Sequence, residues 1–207
     1  MHPNPIFRKA DDAQNIAFAH TRGFGILAVN GDPAPMLSHI PFVLNEDGSQ
    51  AELHLVRSNP IATACRETLS AAIAVQGPDS YVSPDWYGID DQVPTWNYVA
   101  VHLRGTLERR PQEELLPMLD RLSEQFEIQL APKPVWQSAK MTEDVLQRLL
   151  RMIVPFTFRV SQIDGTWKLG QNKDEEVRLR AADAIARDGI GAELAALAAA
   201  MQSPPAE

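Results

Sequence analysis

The chain has 207 residues, 44% hydrophobic and 22% charged, the makeup of a folded protein long enough for one generous domain but short for two. Its formal net charge of −8 makes the average surface repel phosphate backbones, so direct nucleic-acid binding would need a local basic patch. The lone Cys65 excludes an intrachain disulfide and a cysteine-based zinc cluster, and no apolar run approaches the roughly 20 residues of a membrane helix.

The N-terminal MHPNPIFRKADD carries charge where an export signal needs apolar residues, so the expected address is the cytoplasm. Asp11 with Gln14 three residues on predicts a capping box and a helix through Ile16, Ala17 and His20, stopping near Gly23. FGILAVN from Phe24 has strand length and is closed by Gly31-Asp32-Pro33. Residues 35–44 alternate, with Met36, Ser38, Ile40, Phe42 and Leu44 on one face and Leu37, His39, Pro41 and Val43 on the other. Residues 45–49, NEDGS, predict a hairpin loop into the strand ELHLVR.

Asn59-Pro60 predicts an N-capped helix through Arg66, with Cys65 a small half-buried residue in it. AAIAVQ (71–76) reads as a buried strand ended by Gly77-Pro78-Asp79, with Tyr81-Val82-Ser83 as its return. Alternation resumes from Asn97 and is closed by Gly105 and the RRP at 109–111. Pro111, Glu113 and Glu114 open a helix carrying Leu115, Leu119, Leu122 and Phe126, and Thr142 opens a second. Phe156, Phe158 and Val160 predict a strand with Asp164-Gly165 as a turn, and Val154-Pro155 suggests edge-like pairing at its start. From Glu175 the chain reads as helix, broken at Gly189 and resumed through Ile190, Leu194, Leu197 and Met201, with SPPAE as a frayed tail. About six strands without β-α-β alternation predict a mostly β (α+β) small barrel with peripheral helices and a helical C-terminus.

Hydrolase, metalloprotease and nucleotide-binding loop signatures are absent, and the five histidines lack close metal-ligand spacing, although His39 and His54 could meet across a hairpin. Three segments carry chemistry. In His54 to Pro60 a cation, a hydroxyl and an Asn cap arrive where a strand meets a helix, which suits a phosphate monoester or simply a capped helix beside an ion pair. Trp86-Tyr87 with VPTWNY (93–98) offers aromatics and an amide that suit a planar ring, or a plug over a barrel mouth. In Trp167 to Lys173, Gln171 and Asn172 suit a ligand or a helix N-cap with a solvated Lys173.

Taken together, SHIPF (38–42), H-x-x-R-x-N-P (54–60), GP-x-x-Y-x-SP-x-WY (77–87), VPTWNY-x-x-VH (93–102) and WKL-x-QN (167–172) resemble the PaiB-type negative transcriptional regulators, a branch of the FMN-binding split β-barrels. The resemblance implies FMN, homodimerisation and a flavin at the dimer seam. It implies Ser38 and His39 on one strand, Arg57, Ser58 and Asn59 near the phosphate, Trp96 and Asn97 near the ring, and Gln171 and Lys173 closing from the C-terminal segment. It places the split-barrel domain at 1–173 and a helical extension at 174–207. Gly170 departs from the serine usual in that motif. No residue stands as an evident acid, base or nucleophile, so no catalytic group is named. The alternatives are a flavin reductase or oxidase, a haem-binding protein with a histidine ligand, and a repressor that binds DNA itself, against which the −8 charge weighs.

Overall fold

The structure is a computed structural model, and it describes residues 2–205. Residues 206 and 207, the end of the expected frayed tail, lie outside the described residues. The helices are α1 (Asp12–Arg22), α2 (Pro60–Ala64), α3 (Leu115–Glu127), α4 (Glu143–Leu150), α5 (Glu175–Asp188) and α6 (Leu194–Gln202). The strands are β1 (Phe24–Val29), β2 (Met36–Pro41), β3 (Val43–Leu44), β4 (Gln50–Val56), β5 (Thr68–Val82), β6 (Thr95–Arg109), β7 (Ile153–Lys168) and β8 (Ile190–Ala192). They form one sheet in the order β2-β1-β5-β6-β7-β4-β3, with β8 paired to β5. No helix among the described residues is long and apolar enough to cross a membrane.

The chain forms two compact units. One comprises Ile16–Val75 and Leu103–Gln162. In it β1 pairs antiparallel with β2, Phe24 opposite Pro41 and Val29 opposite Met36, and β4 pairs antiparallel with β7. The period-two pattern puts Leu27, Val29, Ile40, Phe42, Leu53, Leu55, Phe156 and Phe158 in its core. Helix α3 is fixed to β4 by a bidentate pair, Arg121 donating to both Glu52 carboxylate oxygens at 2.8 and 2.7 Å.

The other unit comprises Met1–Asn15, Gln76–His102 and Ile163–Glu207. The capping box forms as expected, with the Gln14 N–H donating to Asp11 Oδ1 at 2.7 Å and the Asp11 N–H to Gln14 Oε1 at 3.3 Å. Helices α5 and α6 pack on each other, α5 burying Ala181, Ala182 and Ile185 and α6 burying Leu197, Ala198 and Met201.

Three stretches expected to end or turn the chain lie inside strands. β5 runs straight through Gly77-Pro78-Asp79, β6 through Gly105, and β7 through Asp164-Gly165. At Gly105 and Gly165 the glycine serves close approach, which period and composition read as a turn or a strand end. A Cβ on Gly105 would stand 1.8 Å from the Arg159 carbonyl oxygen, and one on Gly165 2.0 Å from Asn15 Oδ1. The vacated space at Gly165 holds the Asn15 amide, which accepts from Trp167 Nε1 at 2.9 Å.

Further differences are local. The helix expected to reach Arg66 ends at Ala64, with buried Cys65 as its C-cap. Ile190 belongs to β8, whose pairing with Asp79–Tyr81 interrupts the helical C-terminus. Pro155 is not edge-like: β7 lies between β6 and β4, Pro155 is buried opposite His54, and its carbonyl accepts from the Arg110 N–H at 3.0 Å.

His54 Nδ1 is buried without a hydrogen-bond partner among the described residues, and burial pushes the imidazole below its ordinary pKa. A depressed folded value means that the unfolded state binds the proton more readily. Stability from a neutral His54 is therefore present above about pH 6.5 and lost as pH falls below it. Denaturant unfolding at pH 7 and pH 5 is expected to show a smaller loss in His54→Leu than in the wild type; equal losses would assign the acid sensitivity elsewhere.

Candidate functional site

The sequence-expected site residues divide between the two units. In the first, Asn59 caps α2, its Oδ1 accepting from the Ile61 N–H at 2.9 Å while its Nδ2 donates to Ser38 Oγ at 3.1 Å. Ser38 and Asn59 are thus brought together. His39 is not with them: in β2 it points to the opposite face, exposed and stacked on Phe24 with ring centres 6.4 Å apart. Nor does His39 meet His54, whose ladder partner is Pro155. Ser58 is exposed beside the cap.

Arg57 is already engaged. Its Nε donates to the Arg151 carbonyl at 2.9 Å, and one Nη donates to Gln112 Oε1 at 2.9 Å and the Ile153 carbonyl at 3.3 Å. The guanidinium fork here ties the end of β4 to the start of β7.

Cys65 lies fully buried near the Leu107 carbonyl, its Sγ at 3.6 Å, and burial raises its pKa. That is the setting of an inert thiol.

In the second unit, VPTWNY enters β6 at Thr95. Trp96 is 47% exposed and meets Tyr81 edge-on at 6.3 Å, so it does not plug the core. Asn97 turns the other way, buried at 1% exposure with Nδ2 3.5 Å from Met201 Sδ.

Asn97 opens into a recess of about 290 Å³, whose wall includes Phe7, Tyr87, Gln92, Thr95, Lys168 and Lys173. Tyr87 is delivered by the 3₁₀ turn Pro84–Tyr87, and its carbonyl is gripped by Arg180 of α5 through Nε at 3.1 Å and Nη2 at 2.8 Å. Burial raises the Tyr87 phenol's pKa and lowers that of the Lys168 ammonium. Lys168 Nζ donates to the Thr95 hydroxyl and, at 2.7 Å, to the Trp96 carbonyl. Lys173 Nζ donates to Gln92 Oε1 and stands 5.0 Å from the Tyr87 ring centre.

Gln171 shapes the turn before α5 rather than capping that helix. Its Oε1 accepts from the Leu169 N–H at 2.8 Å and its Nε2 donates to the Trp167 carbonyl at 2.5 Å, while Asp174 takes the N-cap position. Lys173 is accordingly half-buried and not a solvated flank.

Sequence reading missed Phe7 and Lys168. Lys168 lies inside a segment already singled out, but nothing local reveals that its ammonium turns toward Thr95. Phe7 comes from the far end of the chain and is placed by His2, whose N–H donates to Thr166 Oγ1 at 3.2 Å and whose ring meets Phe7 edge-on at 4.8 Å.

A family model described as "Putative FMN-binding domain" matches residues 1–162. The chain belongs to this FMN-binding domain family. Within it, the chain is 30% identical over 177 residues to Protease synthase and sporulation protein PAI 2 of Bacillus subtilis, covering 83% of each chain. Among solved structures it is similar to the FAD and haem binding protein from Mycobacterium smegmatis, with TM-score 0.58, 18% identity, and coverage of 89% of this chain and 82% of that one. It is also similar to the flavocytochrome Anf3 from Azotobacter vinelandii, with TM-score 0.53, 12% identity, and coverage of 86% and 77%. These two likenesses concern the fold. The mostly β split-barrel class expected from the sequence is the class found, with eight strands among the described residues where about six were expected.

Gly170 stands where the resemblance implies a serine, and its φ of +81° lies in the left-handed region. A Cβ there would meet Arg178 at 3.4 Å, an ordinary contact, so backbone conformation and not space favours glycine. Gly170→Ser is expected to cost about 1–2 kcal/mol of unfolding free energy in urea titration; a neutral or stabilising change would show that the turn relaxes.

Proposed function

We propose that this chain binds flavin mononucleotide as a homodimer and acts as a negative transcriptional regulator of the PaiB type. The observation that carries the cofactor is the family match across residues 1–162. Ser38, His39, Arg57, Ser58 and Asn59 in one unit, and Trp96, Asn97, Gln171 and Lys173 in the other, are its proposed contacts. Residues 1–173 form the proposed flavin domain and 174–207 its helical extension.

The groups present suit a flavin: an exposed indole at Trp96 for stacking, amides for the ring edge, and ammonium groups for anionic oxygens. A bound flavin supplies one- and two-electron transfer, and the protein positions it.

The pleat supports two copies. Ser38 and His39 face opposite sides of β2, and Trp96 and Asn97 opposite sides of β6, so neither pair can line one face of a ring held by a single chain. A second copy gives His39 and Trp96 a flavin to serve. The surface proposed for self-association is the outer face of β1, β2 and β5. There Phe24 is 53% and Leu37 63% exposed, beside Ile26, Ala28, Ala72 and Ala74. An exposed apolar sheet face of this kind marks an interaction site.

The acidic net charge and the internal commitments of the C-terminal arginines support an indirect regulatory role. Arg178 donates to the Met201 carbonyl at 2.8 Å, Arg180 grips Tyr87 and pairs with Glu176, and Arg187 pairs with Asp188.

The purified protein is expected to show flavin absorption or to bind added FMN at micromolar levels, to run as a dimer in light scattering, and to show no tight salt-dependent DNA binding. Leu37→Glu, which buries a charge in the proposed seam, is expected to yield monomer and to weaken FMN at least tenfold. A wild type that is monomeric and flavin-free after FMN titration would overturn the reading.

A further inference from the structure

The recess at Asn97 lies wholly within the unit that holds residues 1–15, 76–102 and 163–207, and its charge is out of balance. Lys168 and Lys173 both line it, and among the described residues neither ammonium pairs with a carboxylate. Lys168 donates to a hydroxyl and a carbonyl, and Lys173 to an amide oxygen.

Elsewhere Arg110, Arg121 and Arg159 each meet a glutamate at 2.7–2.9 Å, whereas Arg57, like the two lysines, donates to uncharged oxygens. A chain with 27 Asp and Glu against 19 Lys and Arg has carboxylates to spare. The one acidic residue in the lining, Asp91, sits in the left-handed region at φ +58°, a conformation that costs energy outside glycine and clusters at ligand-binding segments.

Partly burying two uncompensated cations in one small recess is unfavourable unless an anion completes it. An ammonium has three N–H donors, and the contacts above use two from Lys168 and one from Lys173. Asn4, Asn97 and Asn172 add amide groups, and Phe7 and Tyr87 add aromatic wall. The lowered pKa of Lys168 is the burial cost of a cation lacking its counter-ion.

We infer that this recess binds a phosphate-type oxyanion, with Lys168 and Lys173 as its two cationic partners. A phosphate monoester carries roughly two negative charges and three acceptor oxygens at neutral pH, matching two ammonium groups and the surrounding amides. A carboxylate would neutralise only one of them. The anion arrives either as the 5′-phosphate of flavin mononucleotide, in which case alone the inference rests on the flavin reading, or on a separate phosphorylated small molecule. Arg57, expected from the sequence to hold the phosphate, already spends its Nε and one Nη on protein acceptors.

The test is calorimetric titration of the full chain with inorganic phosphate, FMN and riboflavin, in the wild type and in the Lys168→Gln/Lys173→Gln double variant. Phosphate or FMN is expected to bind at least tenfold more weakly to the double variant, with riboflavin unchanged. Loss of FMN affinity by the same factor as phosphate identifies the flavin's own phosphate as the occupant. Loss of phosphate alone identifies a separate ligand. Should the double variant fail to fold, Lys173→Gln is read against Lys173→Arg, which keeps the charge and is expected to restore binding. Equal affinities of wild type and variants for both phosphate and FMN would overturn the inference. A wild type that binds phosphate in this lysine-dependent way but neither flavin would leave the recess standing and remove the flavin reading instead.

Discussion

Along the 16 residues of β7, two contacts depend on a glycine where any side chain would clash, one of them backbone on backbone and the other an asparagine amide on backbone. At Gly105 the Arg159 carbonyl occupies the place of a Cβ, and at Gly165 the Asn15 amide does. Past Gly165, Trp167 and Lys168 close the strand together, one hydrogen-bonded to Asn15 and the other turned to Thr95 and Trp96. Misplacing the strand by one residue would exchange the faces of both. The place of Lys168 in the polar recess thus depends on the strand's alternation as well as on its own chemistry.

The sequence was most legible where a local rule acts alone. The Asp11–Gln14 capping box, the Asn59-Pro60 helix start, the alternation of residues 36–44 and the amphipathic α3 all depend on neighbours within a few positions. It was least legible at Gly105 and Gly165, because turn chemistry and close packing ask for the same residue and differ only in what lies across from it. Pro155 misled for a related reason. Proline forbids a donated ladder bond, but a strand can carry it in its interior when its carbonyl finds another donor, here Arg110.

Of the site, residue types were easier to see than directions. Ser38 and Asn59 meet, and Asn97 and Lys173 share a recess. The pleat nevertheless sends His39 away from Ser38 and Trp96 away from Asn97, a separation that consecutive lettering hides. Arg57 shows the converse problem: a guanidinium at a strand end advertises a ligand, yet three protein acceptors had the prior claim. Phe7 could not be foreseen at all, since its approach depends on a histidine at the N-terminus reaching Thr166.

The grip of Arg180 on the Tyr87 carbonyl ties one wall of the recess to α5, and both lysines also come from this late stretch of chain. All three positions, 168, 173 and 180, lie beyond residue 162, where the family match ends. The cationic wall of the recess is therefore built by the end of β7 and the chain that follows it. A substitution along that stretch can change the charge of the wall without touching the β1–β2 and β4–β7 ladders of the other unit.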